Sequence, residues 1–157
     1  MSVNVISIEA AIAITERSRS TWWRRIAKGE VMRVDDDARG RAMLLWSEVL
    51  PQICVPMEPD DLAVVLRADA GDAAAQSDIG QFFSIAGKHK IALYWLQQAA
   101  HQDYPDAMQW LGRCYVSGDG VPKSDNLGIM WIAKAAAHEH VIAQAQMKGL
   151  SDGRFVV

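Results

Sequence analysis

Ala107-Met-Gln-Trp-Leu-Gly-Arg-Cys-Tyr115 opens a segment that passes through Gly118-Asp-Gly-Val-Pro122 and Trp131-Ile-Ala-Lys-Ala-Ala136 and closes on Ala143. Ala107, Leu111 and Tyr115 fall at i, i+4 and i+8, the apolar stripe of one helix. Gly118 and Gly120 permit the backbone a tight turn needs, and Pro122 cannot continue a helix. Asp125 is placed to cap a second helix, whose Ile129, Ile132 and Ala136 would face back toward the first. The segment predicts a helix hairpin.

The same spelling occurs once before. Ala75-Gln-Ser-Asp-Ile-Gly-Gln-Phe-Phe83 precedes Trp95-Leu-Gln-Gln-Ala-Ala100, and Ala107 begins the next unit. The first unit spans 32 residues from alanine to alanine and the second 36. The difference lies in the turn, since Phe83 to Trp95 is 12 residues and Tyr115 to Trp131 is 16. Repetition at this period predicts stacked helix pairs.

These residues resemble SEL-one-like repeats (SLR), a branch of the tetratricopeptide-type α/α solenoids. That pattern runs A-x-x-x-L-G-x-x-Y, a glycine-rich turn ending in G-V, then W-x-x-K-A-A. Residues 107–136 match nearly throughout, and the earlier copy matches at Ala75, Ile79, Gly80, Phe83, Trp95, Ala99 and Ala100 but lacks the glycine turn. Gly80 and Gly112 would admit a close neighbouring helix, with Trp95 and Trp131 filling the remaining space as core rather than as a ligand box. Ala143, Met147 and Leu150 begin a third copy in which Lys148 stands where the family has glycine, so a capping helix is expected there.

The 157 residues suffice for one ordinary domain or two small ones. Half are apolar and 22% charged, a soluble globular balance. No apolar run approaches the roughly 18–20 residues of a membrane helix. The N-terminus lacks a basic segment followed by an apolar one, so no secretion signal is expected. Cys54 and Cys114 are isolated and lack metal spacing, which reads as reduced, structural and cytoplasmic. Net charge is −3, yet residues 15–33 carry six Lys/Arg against two Asp/Glu. The net charge argues against a generic polyanion binder, but residues 15–33 form a local basic patch on an acidic chain.

Ser7 can cap a helix from Ile8 to Ile14, with Ala10, Ala11 and Ile14 inward. After the polar break at residues 15–18, Ser18 can cap a second helix to Lys28, with Trp22 and Ile26 packing on the first and Gly29 as a left-handed terminus. Residues 31–34 and 42–45 read as short strands around the Asp-rich turn 35–40, and Ser47 as the cap of a further short helix. Three prolines between Pro51 and Pro59 place the domain boundary, giving domains 1–55 and 56–157. Asp60 or Asp61 can cap a helix through Leu62, Val65 and Leu66 that ends at Gly71 and covers the first repeat.

Ala10-Ala11, Ser18-Arg-Ser-Thr21, Arg24, Ile26 and Gly29-Glu-Val31 resemble the excisionase/MerR-like winged helix-turn-helix over residues 5–53. The resemblance implies that the second helix enters the major groove of double-stranded DNA. Ser20, Arg24 and Lys28 would face outward together, with Arg17 and Arg19 near the helix N-terminus where phosphate is favoured. Thr21 and Trp23 would flank them, and Arg33, Arg39 and Arg41 would belong to the wing. Two departures stand out. Asp35, Asp36 and Asp37 put negative charge on the wing, and Trp22-Trp23 is bulkier than the usual apolar-Tyr pair. Either the wing tip points away from DNA, or the domain has been turned to protein binding.

No catalytic constellation is evident. His138 and His140 are two apart, which would place them on different sides of a helix, whereas helical metal pairs usually sit four apart. His89 and His101 stand in turn-like contexts, and Gly118-Asp-Gly120 is followed by no Gly-Lys-Ser/Thr. No cofactor, metal or catalytic residue is expected, and no membrane association. The expected fold is mainly α: a winged helix-turn-helix with a small β-hairpin, then a short α/α solenoid of two SLR repeats and a capping helix. The expected function is a bacterial DNA-binding transcriptional regulator whose repeats bind a protein or a second copy of the chain, as a homodimer. The alternative is a non-catalytic protein–protein interaction adaptor in which the winged domain also binds protein.

Overall fold

The structure, a computed structural model, describes residues 3–154 together with 156 and 157. Residues up to Leu62 and residues from Ala63 onward form two compact units.

The first unit is built on a three-stranded antiparallel sheet in the order β1-β3-β2, from β1 (Val5–Ser7), β2 (Arg33–Val34) and β3 (Met43–Leu45). β3 is central, pairing Ile6 with Leu44 on one side and Val34 with Met43 on the other. The sequence reading found β2 and β3 but missed β1, three residues too short to declare a period. Helix α1 (Ile8–Thr15) follows β1 directly, its first free amides met by Ser7 Oγ, which accepts from Ala10 N at 3.1 Å. Glu16 at φ 57° reverses the chain, and Ser18 caps α2 (Arg19–Ala27) by accepting from Thr21 N at 3.2 Å. Trp22 of α2 is fully buried, as are Ile6, Ile8, Ile14 and Leu44; Ile26 is only half-buried. Gly29, at φ 71°, closes α2 while Glu30 N donates back to Arg25 O.

Helix α3 (Trp46–Val49) runs into a 3-10 turn at Leu50–Gln52. Ser47, expected as its cap, lies inside the first turn. Trp46 N instead donates to Asn4 O, because strand pairing already delivers the chain in the right direction.

Helix α4 (Pro59–Asp69) begins in the first unit and ends in the second, where two antiparallel helix pairs follow: α5 (Ala73–Ile85) with α6 (His89–Ala100), and α7 (Pro105–Ser117) with α8 (Asp125–Ala137). Helix α9 (Val141–Ser151) follows. Pro59 starts α4, so Asp60 and Asp61 sit in its first turn rather than at its cap. Asp72 caps α5 through Ala75 N, and Gln76 Nε2 donates to Ala68 O at 3.0 Å, tying α5 to α4. Ser124, not Asp125, caps α8: its Oγ accepts from Leu127 N at 3.2 Å, leaving Asp125 in the first turn where the helix dipole favours a carboxylate.

The close contact inside each pair is made at glycine. A Cβ on Gly80 would lie 2.7 Å from Leu96 Cγ, and one on Gly112 2.6 Å from Ile132 Cγ1 and 2.8 Å from Gly128 O. Gly128 reciprocates against Val116 on α7. The seam of the second pair is therefore Gly128, Ile132 and Ala135, and the expected Ile129 and Ala136 are half-buried beside it. Phe83 and Trp95 are core, whereas Tyr115 and Trp131 are half-buried, because only α9 follows the second pair. Lys134 Nζ stands 4.8 Å above the Trp131 ring. On α9 the position of Gly80 and Gly112 is Lys148, and among the described residues of α9 only Ala143 is buried. A lysine cannot admit a partner helix at that distance, so α9 ends the stack.

Gly112→Ala tests the seam. Alanine favours a helix over glycine by about 1 kcal/mol, but here it would push two backbones apart. We expect a net loss within the roughly 1–3 kcal/mol of overpacking, read from urea unfolding. An unchanged or raised midpoint would contradict it.

Candidate functional site

The first unit carries the residues singled out for DNA. Ser20, Arg24 and Lys28 lie together on the exposed face of α2, and Arg17 is exposed just before it. Arg24 and Lys28 form no ion pair among the described residues. Ser20 Oγ lies 2.9 Å from Ser18 Oγ, and several other members are engaged as well. Arg19 bonds Glu9 at 3.1 Å, and Thr21 belongs to the cap, its Oγ1 2.9 Å from Ser18 Oγ. Trp23 is 39% exposed, with the Arg33 guanidinium 5.5 Å above its ring.

The turn between β2 and β3, expected as a wing, balances much of its own charge. Arg33 pairs with Asp36 at 2.6 Å and Arg41 with Asp37 at 2.8 Å. Asp37 Oδ1 also accepts from the amides of Arg39 and Arg41, both at 2.9 Å, closing the turn between β2 and β3. The Arg41 amide is the largest influence holding the Asp37 carboxyl below the ordinary carboxylate range; partial burial opposes it, and the Arg41 guanidinium and Arg39 amide add to it. Asp36 and Asp37, two of the three aspartates of this turn, are thus structural partners of Arg33 and Arg41. Arg25, which the sequence reading left out, turns inward to Gln52 and Glu30, 5.8 Å from the Trp22 ring.

The second unit carries a surface that the sequence reading missed. An open groove of about 530 Å³ is lined by Gln81 of α5, Gln109, Trp110 and Arg113 of α7, and Ile142 and Gln146 of α9, among others. Gln109 is 4% exposed, and its Nε2 donates to Gln146 Oε1 at 3.1 Å. The Arg113 guanidinium stacks 4.6 Å from the Trp110 ring. At one rim His140 Nε2 lies 3.2 Å from Asp106, while His140 Nδ1 accepts from Ala143 N to cap α9.

His138 and His140 are not on one helix: they end α8 and precede α9, with Glu139 at φ 65° between them. His89 is the first residue of α6, packed beside Gly120 of the next turn, and His101 ends that helix. Among the described residues no group of three or more His, Cys, Asp or Glu could hold a metal. No described helix is long and apolar enough to cross a membrane. Neither Cys54 nor Cys114 forms a disulfide among the described residues.

Two titrations follow from these surroundings. Asp37 is more acidic folded than free, so it steadies its turn at pH values above the ordinary carboxylate range and loses that effect as pH falls through its lowered value. The Arg39 and Arg41 amide resonances should titrate with a midpoint below the 3.8 of a free aspartate; a midpoint at or above it would refute the assignment. Burial pushes the Cys114 thiol up to about 11. Alkylation at mildly alkaline pH should therefore be more than about a hundredfold slower at Cys114 in the folded chain than in urea, and equal rates would contradict its packing.

Comparison with known proteins bears on the repeats. The Sel1 repeat family model matches residues 73–104 and 105–140. A Sel1 repeat protein from Oxalobacter formigenes is similar at 29% identity and TM-score 0.54, over 59% of this chain and 29% of that one. A protective antigen of uropathogenic Escherichia coli strains, displaying an SLR fold, is similar at 28% identity and TM-score 0.57, over 67% of this chain and 23% of that one. The chain spans less than a third of the length of either. No curated protein matches the sequence. Family model, solved neighbours and the glycine seam agree: residues 73–140 are two Sel1 repeats.

Proposed function

We propose that this chain is a non-catalytic interaction protein whose Sel1 repeats bind a protein partner. The groove along α5, α7 and α9 carries this reading. It combines buried and exposed amides with an aromatic ring and a stacked guanidinium, side chains suited to holding a polypeptide. The first unit fits the same reading, because its wing is charge-balanced. The cytoplasmic setting read from the isolated cysteines belongs to the proposal.

A second reading, a DNA-binding regulator with a winged helix-turn-helix, draws on one observation: the exposed Ser20, Arg24 and Lys28 face of α2. It stands second because Arg19, Arg33 and Arg41 are already held by carboxylates, which leaves few cations for phosphates. A homodimer belongs to this reading, since a two-fold operator calls for two recognition helices.

The two readings separate by mutation. For the interaction reading, a co-purifying partner should be lost in a Trp110→Ala/Arg113→Ala variant and retained in Arg24→Ala/Lys28→Ala. For the DNA reading, duplex affinity should fall with salt by a log–log slope of about −0.9 per phosphate contact and vanish in Arg24→Ala/Lys28→Ala. Salt-sensitive, sequence-selective duplex binding lost in that variant would reverse the order. A partner indifferent to the groove variant would refute the first reading.

A further inference from the structure

Counted from the repeat alanine of α5, α7 and α9 (Ala75, Ala107 and Ala143), the first or A helix of each unit, the seam takes positions +4, +5 and +8. With about 3.6 residues per turn, positions +2, +3 and +6 fall on the opposite side. The groove is lined from that side: Gln81 at +6, Gln109, Trp110 and Arg113 at +2, +3 and +6, and Gln146 at +3. Three successive helices each contribute a primary amide to one channel. Such an amide offers two donors and an acceptor, the complement of the N–H and C=O groups along an extended backbone.

One amide already meets a backbone carbonyl. Beyond α9, Gly153 at φ 70° turns the chain back, with Gly153 N donating to Leu150 O and Arg154 N to Gly149 O. Gln146 Nε2 then donates to Val156 O at 3.5 Å, and Val157 lines the groove. Gln146 is oriented for this because its Oε1 accepts from the buried Gln109 amide. The groove carries one guanidinium, Arg113 over Trp110, and one carboxylate, Asp106 beside His140, so its formal side-chain charges balance.

We infer that this chain's own Val156 and Val157 occupy the groove in cis, holding the place that an extended, apolar segment of the protein partner must take. The inference rests on the reading that the repeats bind protein. Backbone carbonyls of the segment accept from the glutamine amides, and its apolar side chains lie against Trp110 and Ile142. The tail competes from a short tether, so a partner must displace it.

The test uses the full chain and, as probe, a fluorescein-labelled, amidated Gly-Arg-Phe-Val-Val peptide matching residues 153–157. A Val156→Asp/Val157→Asp chain should bind this peptide saturably. The wild-type chain should bind it at least about tenfold more weakly, because a short tether holds the tail at an effective concentration near millimolar. Adding Gln146→Ala, or separately Trp110→Leu, to the vacated chain should remove binding; the urea midpoint should stay in place in the Trp110→Leu chain and fall in the Gln146→Ala chain, where the buried Gln109 amide loses its acceptor. Binding should change little with salt. No saturable binding by the vacated chain, or equal affinity in all variants, would overturn the inference. That outcome would leave partner binding elsewhere on the repeats standing, since the probe is the chain's own segment.

Discussion

Two helices can approach to contact only where one lacks a side chain, and the repeats depend on that constraint. Gly80 receives Leu96, Gly112 receives Ile132 and the Gly128 carbonyl, and Gly128 in turn receives Val116. The larger core residues Phe83, Trp95 and Leu111 then fill the volume left around the close approach. Where Lys148 replaces glycine the rule stops applying. One position thus both builds the stack and ends it.

The same constraint determines which faces remain available. Each A helix spends its small-residue side on its own B helix and keeps the opposite side for other contacts. On α5, α7 and α9 that side carries glutamines, Trp110 and Arg113 in one groove. The first unit uses a different economy. Its arginines are numerous, but Glu9, Asp36 and Asp37 engage three of them, and the exposed face of α2 keeps Arg24 and Lys28. The amide-lined groove suits a peptide, whereas the α2 face offers long cationic side chains and little built shape.

Much of this was legible in the sequence, for physical reasons. Repeated Ala, Gly and Trp positions announced the pairs because close helix packing tolerates few alternatives. Ser7, Ser18 and Gly29 were found because caps and left-handed termini are local. The misses are non-local or nearly degenerate. β1 is held by pairing with a strand some forty residues later, and Ser124 took the cap from its neighbour Asp125. Ile129, Ala136 and Trp131 are half-buried because, among the described residues, only α9 packs after their pair. The groove escaped notice because reading by the family pattern attends to the seam, although Gln81, Gln109 and Gln146 recur on the opposite face. The pairing of Asp36 with Arg33 and of Asp37 with Arg41 depends on how the turn folds, which the order of residues alone does not specify.

The central claim is that the side of the A helices turned away from the seam is a peptide-holding surface. The most direct measurement places a nitroxide on the tail through Val157→Cys in a Cys54→Ser background, where buried Cys114 stays unlabelled. Selective broadening of the Trp110 indole N–H and of the Gln81, Gln109 and Gln146 side-chain amides is the expected result. Weak, uniform broadening across the chain, with the Trp110 resonance no more affected than that of Trp131, would contradict it.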